Sequence, residues 1–448
     1  MRQKVFGLAV AALLWTAPLW SEPATLAPQA ARAAAARLLT EGYPRATLDV
    51  TAVLLERDPQ DVDALILRAH AQRTLQDNSG AQVSARKAWQ YSTEGVQKYE
   101  AARVMAQALS SDDRKSRAQL WLRRAAQVAP TEQLRNRAVR DYQYVRFTNP
   151  WSVKFRFGIA PSDNVNNAPL DNTVILGGLL FEDETAIPLS GVEISTGVDL
   201  RYNFNISRTR RNFVLLSWDQ KRVVITDDDK PLEIDEDDFR YTKLEAALGR
   251  DFKTAADAPS NTVSLSLGRI WSGGDHLADE VRVRFRQTHK LADGATLNWY
   301  STFGYADRQD NADRSGITST LGATWSRPVG GGSRLALSAK LSRTDTDSAV
   351  VTHDAVTLGA TYTLGRPVLS AVATFSAFGT FRRYDDAVYG PDPRRDDGAV
   401  LSTSLFFKDF DTYGFAPKVA FTARRTNSNI SSFDTRDIRV SIGLQSVF

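Results

Sequence analysis

The chain has 448 residues, more than one ordinary domain needs. Its formal net charge of +4 gives no global attraction to nucleic acid, and none is expected as a partner. It contains no cysteine, which excludes disulfides, thiolate metal sites, cysteine nucleophiles and lipid attachment through an N-terminal cysteine.

At the N-terminus, Arg2 and Lys4 precede an apolar stretch from Val5 to Trp15, followed by Thr16, Ala17 and Pro18. A basic start and a short apolar run are the pattern of a secretory signal peptide. The run is too short to span a bilayer comfortably. The expected signal peptide is residues 1–21, with cleavage after Ser21. No later segment is apolar and long enough for a transmembrane helix.

Residues 22–148 are rich in Ala, Leu, Arg and Gln and read as helices. Ala33 to Leu39 forms one helix. Gly42-Tyr43 is a turn, and a second helix carrying Ala46, Leu54 and Leu55 stops at Asp58-Pro59, since proline lacks a donor N–H. Ala64 to Leu75, a turn at Asp77-Asn78-Ser79-Gly80, and Ala81 to Tyr91 repeat the unit. Tyr99 to Leu109 and Ser116 to Ala129 make a third, less regular one, and Glu132 to Val145 a closing helix. Helix pairs of about 34 residues with small residues at the turn are the tetratricopeptide pattern. Such stacks present a concave surface to a partner; a bare helical spacer is the alternative.

At Asn149-Pro150 the composition changes to Gly, Thr, Ser and aromatics in alternation. Trp151, Val153, Phe155, Phe157 and Ile159 alternate with polar residues. So do Val192 to Phe204, Val281 to Phe285, Leu297 to Tyr305 and Val356 to Tyr362. The last run places Ile438, Val440, Ile442, Leu444 and the terminal Phe448 on one face, and Asp437, Arg439, Ser441 and Gln445 on the other. Long strands with one apolar and one polar face fit a transmembrane barrel. In lipid every backbone polar group must be paired, so such a sheet must close. About fourteen strands are expected over residues 149–448. Short connections such as Leu291 to Ala295 and Pro328 to Ser333 alternate with longer ones such as Pro161 to Ser190 and Thr226 to Asp238. That alternation puts short turns in the periplasm and long loops outside. The helical region is then periplasmic. The fold class is α+β multidomain: a periplasmic all-α tetratricopeptide-like domain, then an antiparallel barrel in the outer membrane of a Gram-negative envelope. The aromatic C-terminal end is the expected signal for the barrel-assembly machinery, and outer-membrane lipid is the expected surrounding.

Two motifs flank the barrel. Phe157 to Ala168 reads FGIAPSDNVNNA. Tyr413 to Phe448 carries Gly414, Phe415, Pro417, Arg424-Arg425, Ser428-Asn429-Ile430 and Phe433. With the signal peptide, the helical repeats and the barrel, the chain resembles the surface lipoprotein assembly modifier (Slam) family over nearly its whole mature length. The resemblance implies protein export: a lipoprotein or secreted client would meet the helical domain and cross through the barrel lumen. It carries no catalytic residue. Read from its residues, FGIAPSDNVNNA has Pro161 ending the strand ladder and Asp163, Asn164, Asn166 and Asn167 as turn formers. It is either a structured loop at the barrel mouth or an ordinary polar one.

No catalytic, cofactor-binding or metal-binding residues are expected, and no cofactor. His70, His276, His289 and His353 are far apart in sequence, and no nucleophile elbow, phosphate loop or dinucleotide fingerprint is present. Asp275-His276 is a tight acid–histidine pair and sits in a Gly-rich loop. The acidic run Asp227, Asp228, Asp229, Glu233, Asp235, Glu236, Asp237 and Asp238 suits divalent cations or a solvated loop. Lys154, Arg156, Arg201, Arg282, Arg284 and Arg286 face the lumen in this phase. They make a polar conduit, give anion selectivity, or pair with lumen acids such as Glu193 and Asp199. A passive porin or uptake channel with a helical adaptor is the competing function. An outer-membrane hydrolase is a third, and it lacks site residues.

Overall fold

The computed structural model describes residues 26–447, apart from 94, 177–178, 184–185, 228–233 and 256. The expected signal peptide, residues 1–21, and the terminal Phe448 lie outside the described residues. The chain divides into two compact units at Asp112/Asp113.

The first unit contains five helices: α1 (Pro28–Thr40), α2 (Pro44–Arg57), α3 (Val62–Thr74), α4 (Asn78–Tyr91) and α5 (Gly95–Ser111). Each packs on the next, and α1 also touches α3 as α3 touches α5. This is tetratricopeptide-like stacking. Pro28 and Pro44 open their helices, where a missing N–H costs nothing. The α1–α2 turn needs Gly42, whose φ is +88°. Alanine lets the helices approach: Ala64, Ala69, Ala81, Ala85 and Ala88 are fully buried. Leu65, Ala88 and Ala101 join three helices in one cluster. Asp61 caps α3 through the Ala64 N–H at 3.0 Å and pairs with Arg32 of α1 at 2.8 Å. Lys98 caps the end of α4, donating to the carbonyls of Trp89 and Ser92. The sequence places Asp77 to Gly80 in a turn. The structure puts Asn78–Gly80 in the first turn of α4 instead, because the Asp77 carboxylate accepts the Gly80 N–H at 2.9 Å and so starts the helix.

His70 on α3 is half-buried beside Arg73 and Arg103, and desolvation plus those cations pull its pKa down to about 4. The unfolded chain binds a proton near pH 6.5 that the folded unit refuses until about pH 4. Stability should therefore fall as pH drops from 6.5 to 4, by up to about 3 kcal/mol. Helical ellipticity followed in urea at about pH 7 and about pH 4.5 checks this. The His70→Gln protein should show a smaller pH dependence in that window.

The second unit begins with α6 (Lys115–Val128) and α7 (Glu132–Thr148) and continues into the strands. These are β1 (Trp151–Ser162), β2 (Thr173–Leu176), β3 (Leu179–Glu182), β4 (Gly191–Phe204), β5 (Arg210–Ile225), β6 (Tyr241–Phe252), β7 (Ser260–Ser272) and β8 (Asp275–Lys290). Then come β9 (Thr296–Arg308), β10 (Gly316–Val329), β11 (Ser333–Thr346), β12 (His353–Thr363), β13 (Val372–Tyr384), β14 (Arg395–Phe406), β15 (Phe415–Ser428) and β16 (Thr435–Ser446). β2 and β3 form a small hairpin inside the first long connection. The other fourteen strands close into one antiparallel barrel in chain order, with β1 meeting β16. The strand number and closure follow the sequence expectation.

Register fixes the two faces. Leu265, Val283, Phe303, Leu321, Leu341, Val356 and Phe381 lie on the outward face, with Val283 opposite Leu265 and Phe303, and Leu341 opposite Leu321 and Val356. Phe155, at 71% exposed, and Leu401, at 62%, have no protein to cover them. This apolar exterior needs lipid. Trp151, Tyr202, Trp299, Trp325, Tyr362 and Phe375 ring the outward face at one end, as an interfacial aromatic girdle does.

Asn149 and the turns at 205–209, 253–259, 291–295, 330–332, 364–371 and 407–414 share that end, here called the helix end. The far end carries 163–190, 226–240, 309–315, 347–352, 385–394 and 429–434. One far-end connection is a correction. The Gly-rich loop expected around Asp275-His276 is a two-residue hairpin, Gly273-Gly274, with φ of 62° and 99°. Two adjacent glycines at positive φ make the tightest reversal available, so Asp275 and His276 already belong to β8. Pro161 is another correction: the β1–β4 ladder runs through Pro161 to Ser162. Neither Ala160 nor Pro161 is paired with β16, so the missing donor costs no pairing.

The barrel has one uneven seam. β1 pairs with β4 along Trp151–Ser162. Against β16 it pairs only at Gly158–Gly443, Ile159–Ile442 and Ser162–Arg439. The stretch from Trp151 to Phe157 is paired on one side only.

Candidate functional site

The lumen carries two stretches of polar wall. From β12 to β15 it is lined by hydroxyls that bond across strands: Thr357 with Thr380, Thr361 with Ser376 and Thr363 with Thr374, each at 3.1 Å, and Ser402 with Thr422 at 3.2 Å. From β16 through β1 to β8 the wall is charged. Arg156 bonds Asp199 and, at 2.7 Å, Asp219. Arg201 meets Asp251 at 2.6 Å. Lys243 and Arg282 share Glu280, at 2.5 and 2.7 Å. Glu193 takes Arg439 at 3.1 Å.

The six basic residues picked out by phase thus separate. Arg156, Arg201 and Arg282 rigidify the wall through ion pairs. Lys154, Arg284 and Arg286 form no ion pair among the described residues, while the inward acids Glu193, Asp199, Asp219, Glu245, Asp251 and Glu280 are all paired. This leaves the charged wall with uncompensated positive charge. In a planar bilayer under a salt gradient, any conductance should be anion-selective. Arg284→Gln with Arg286→Gln should move the reversal potential toward zero.

At the far end the first motif meets the later stretch of the second. Asn164 is 1% exposed, and its amide donates to the carbonyls of Ala168 and Arg436, both at 2.9 Å. Asp163 accepts the Ile438 N–H at 2.6 Å, and Leu170 donates to the Asp434 carbonyl at 2.7 Å. Asn166 clasps the returning limb through Ile187 and Leu189. On the second motif, Asn429 braces Pro393 and Arg395, and Arg394 stacks 3.4 Å from the Phe433 ring while pairing with the buried Asp396 at 2.7 Å. The loop is therefore structured. Asn167 and Pro169 face the inward residues Arg382 and Arg424 across a cavity of about 450 Å³. Asn164→Ala removes the amide that ties the loop to β16. Partial proteolysis should then cut within 163–190 while the barrel stays intact.

At the helix end, the helix pair is bonded to the turn between β14 and β15. Arg123, 8% exposed, donates to the carbonyls of Tyr413 and Gly414 at 3.0 and 3.1 Å, to Tyr142 and to Ser446. Its guanidinium lies over the rings of Tyr142 and Phe415. Arg135 pairs with Asp411 at 2.7 Å, and Gln127 accepts the Tyr413 N–H. Tyr413 and Gly414 both have positive φ, a bent turn whose carbonyls project toward Arg123. The same helix holds the first strand: Ser116 receives a bond from Asn149 at 3.0 Å, and Lys115 donates to the Thr148 carbonyl.

Beside this contact, a cavity of about 680 Å³ opens between Phe155 and Phe157 of β1 and Leu444 of β16. It is also lined by the lumen residues Lys154 and Lys418 and by Arg146 of α7. It crosses the wall at the uneven seam. Sequence reasoning passed over Arg123, Arg135, Asp411 and Asn149. The available signal was an arginine flanked by the buried stripe Ala118, Leu122, Ala125 and Ala126.

The histidines are not brought together. His276 meets Asp279 at 3.2 Å on the outer surface of β8, His289 sits at the other end of that strand, and His353 stacks on Tyr384 of β13. Among the described residues no group of three His, Asp or Glu could hold a metal ion. In the acidic run, Asp235 and Asp238 form a capping box and Glu236 accepts the Ile225 N–H, so these acids fold their own loop. Asp228, Asp229 and Glu233 lie outside the described residues.

A closed fourteen-strand barrel with a lipid-facing exterior and a polar lumen, preceded by tetratricopeptide-like helices, is a barrel of the outer-membrane class. No family model matches the chain, and no curated protein matches it in sequence. Among solved structures, the barrel is similar to Pseudomonas aeruginosa OccK10 (OpdN), at 10% identity and TM-score 0.36, over 67% of this chain and 100% of that one. It is also similar to a BenF-like porin from Pseudomonas fluorescens, at 9% identity and TM-score 0.34, over 66% and 98%. The helices are similar to the Yersinia enterocolitica type III secretion translocator chaperone SycD, at 12% identity and TM-score 0.25, over 28% and 88%.

Proposed function

We propose that the chain is an outer-membrane translocator that carries lipoproteins or related secreted proteins to the cell surface, as the Slam resemblance implies. The helices stand on the periplasmic side, where cargo arrives. The observation that carries this reading is the bonding of α6 and α7 to the barrel turn through Arg123 and Arg135. A channel for small solutes has no use for a helix pair bonded to its mouth. The lumen wall, braced by ion pairs and hydroxyls, offers polar groups to a passing backbone.

A second reading is a passive anion-preferring channel. The unpaired Lys154, Arg284 and Arg286 favour it. The test is to co-express candidate surface lipoproteins with this protein in a host that lacks it. The proposal expects a client that becomes protease-accessible on intact cells only when the protein is present. If no client depends on it while anion conductance is found, the channel reading takes first place.

A further inference from the structure

We propose that the β1–β16 seam at the helix end is a lateral portal whose free edge accepts an extended polypeptide segment as a temporary strand. This deepens the translocation reading, and rests on it for the occupant being a client chain.

Three observations converge. The first is the edge itself. Trp151 to Phe157 pair with β4 but not with β16, although continuing the Gly158–Gly443 register would set Phe157 opposite Leu444 and Phe155 opposite Ser446. Every second N–H and C=O of that stretch faces the gap. Unpaired backbone groups at membrane depth cost several kcal/mol each. An occupant that supplies a complementary backbone is favoured there over lipid, which supplies none.

The second is the cavity. It contains outward residues, Phe155, Phe157 and Leu444, and inward ones, Lys154 and Lys418. A segment seated in it would put apolar side chains toward lipid and polar ones toward the lumen. That alternation defines the occupant: an extended chain of alternating apolar and polar residues, rather than a folded domain or a helix.

The third is the helix that holds both lips. Ser116, at the start of α6, bonds Asn149 on the β1 lip. Arg123, further along the same helix, bonds Gly414 and Ser446 on the β16 side. One rigid helix thus grips both lips and fixes them relative to each other. Gly443 marks where pairing gives way: a Cβ there would come within 2.9 Å of the Phe157 carbonyl.

The absence of native cysteine makes the test clean. Single variants Phe157→Cys and Leu444→Cys, with Phe303→Cys as an outward-facing control in a fully paired strand, are purified in detergent. Each is offered a peptide of alternating valine and serine whose one central cysteine is activated as a mixed disulfide with thiopyridine, so that the protein thiolate attacks the peptide sulfur and thiopyridine leaves. The portal predicts disulfide capture at 157 and at 444 about tenfold above 303, equivalent to about 1.4 kcal/mol of preference. An excess of the same peptide without cysteine should suppress capture at 157 and 444 and leave 303 unchanged. Equal capture at all three sites, or no competition, overturns the portal. Failure of either seam variant to fold leaves the other to decide. The assay uses no client, so export can fail in cells while the portal stands, and the portal can fail while export stands.

Discussion

Replacing Arg123 by alanine will release α6 and α7 from the barrel. The guanidinium is almost fully buried and serves two backbone carbonyls, a phenol and a hydroxyl while lying over two rings. Alanine leaves the Tyr413 and Gly414 carbonyls without that donor. Hydrogen bonds from a charged group contribute about 1.5–3 kcal/mol each, and orphaned buried acceptors add to the loss, so a local destabilisation of about 3 kcal/mol or more is expected. The barrel keeps its own ladders and should still migrate as a heat-modifiable band. The change is confined to the helix end: faster amide exchange at Tyr413 and Phe415, and new proteolytic cuts within 113–148. Arg123→Lys should not rescue, because a single ammonium cannot span acceptors that a planar fork reaches together. Unchanged exchange and protection in the alanine variant would show that the helices are held by other means.

The second large effect is on export. Deleting α1 to α5, residues 28–111, leaves α6 and α7 their bonds to the barrel, since those bonds all come from Lys115 onward. A folded barrel with an unaltered β signal is expected, together with complete loss of client display. The stacked repeats bury one face against each other and leave the rest for a partner. Full display from the truncated protein would reduce them to a spacer. Deleting α6 and α7 as well should also free the two lips of the seam, and so separates cargo capture from the state of the wall.

The strands were readable because alternation with period two survives in most of them and the turn residues punctuate it. Phe155 on β1, Val283 on β8 and Ile442 on β16 point outward where phase places them. The helices were readable from alanine spacing and proline stops. Their starts were less so: Asn78 to Gly80 carry turn residues, yet the Asp77 cap makes them helix. Lumen pairing was half legible. Phase shows that Arg156 and Arg284 both face inward, but whether a carboxylate lies opposite depends on register across strands, and sequence does not state register. Least legible was the helix end. Arg123 and Tyr413 lie 290 residues apart, and Arg123 reads as one more arginine on a basic helix. The two motifs quoted for the family resemblance do have physical roles. One end of the second, Tyr413 to Phe415, receives the helix pair, and a later stretch of it, Arg436 to Ile438, receives the first motif.

The central claim is that a polypeptide travels through this barrel, and site-directed photocross-linking tests it most directly. A cross-linking residue is placed at inward positions Ser264, Thr302 and Thr361, and at the outward positions Leu265, Phe303 and Leu358. A client fused to a tightly folded domain, arrested during export, is then illuminated in cells. The account predicts adducts of client with the inward positions and none with the outward ones. Adducts at neither set, for a client whose display depends on the protein, would mean that the chain does not pass through the lumen.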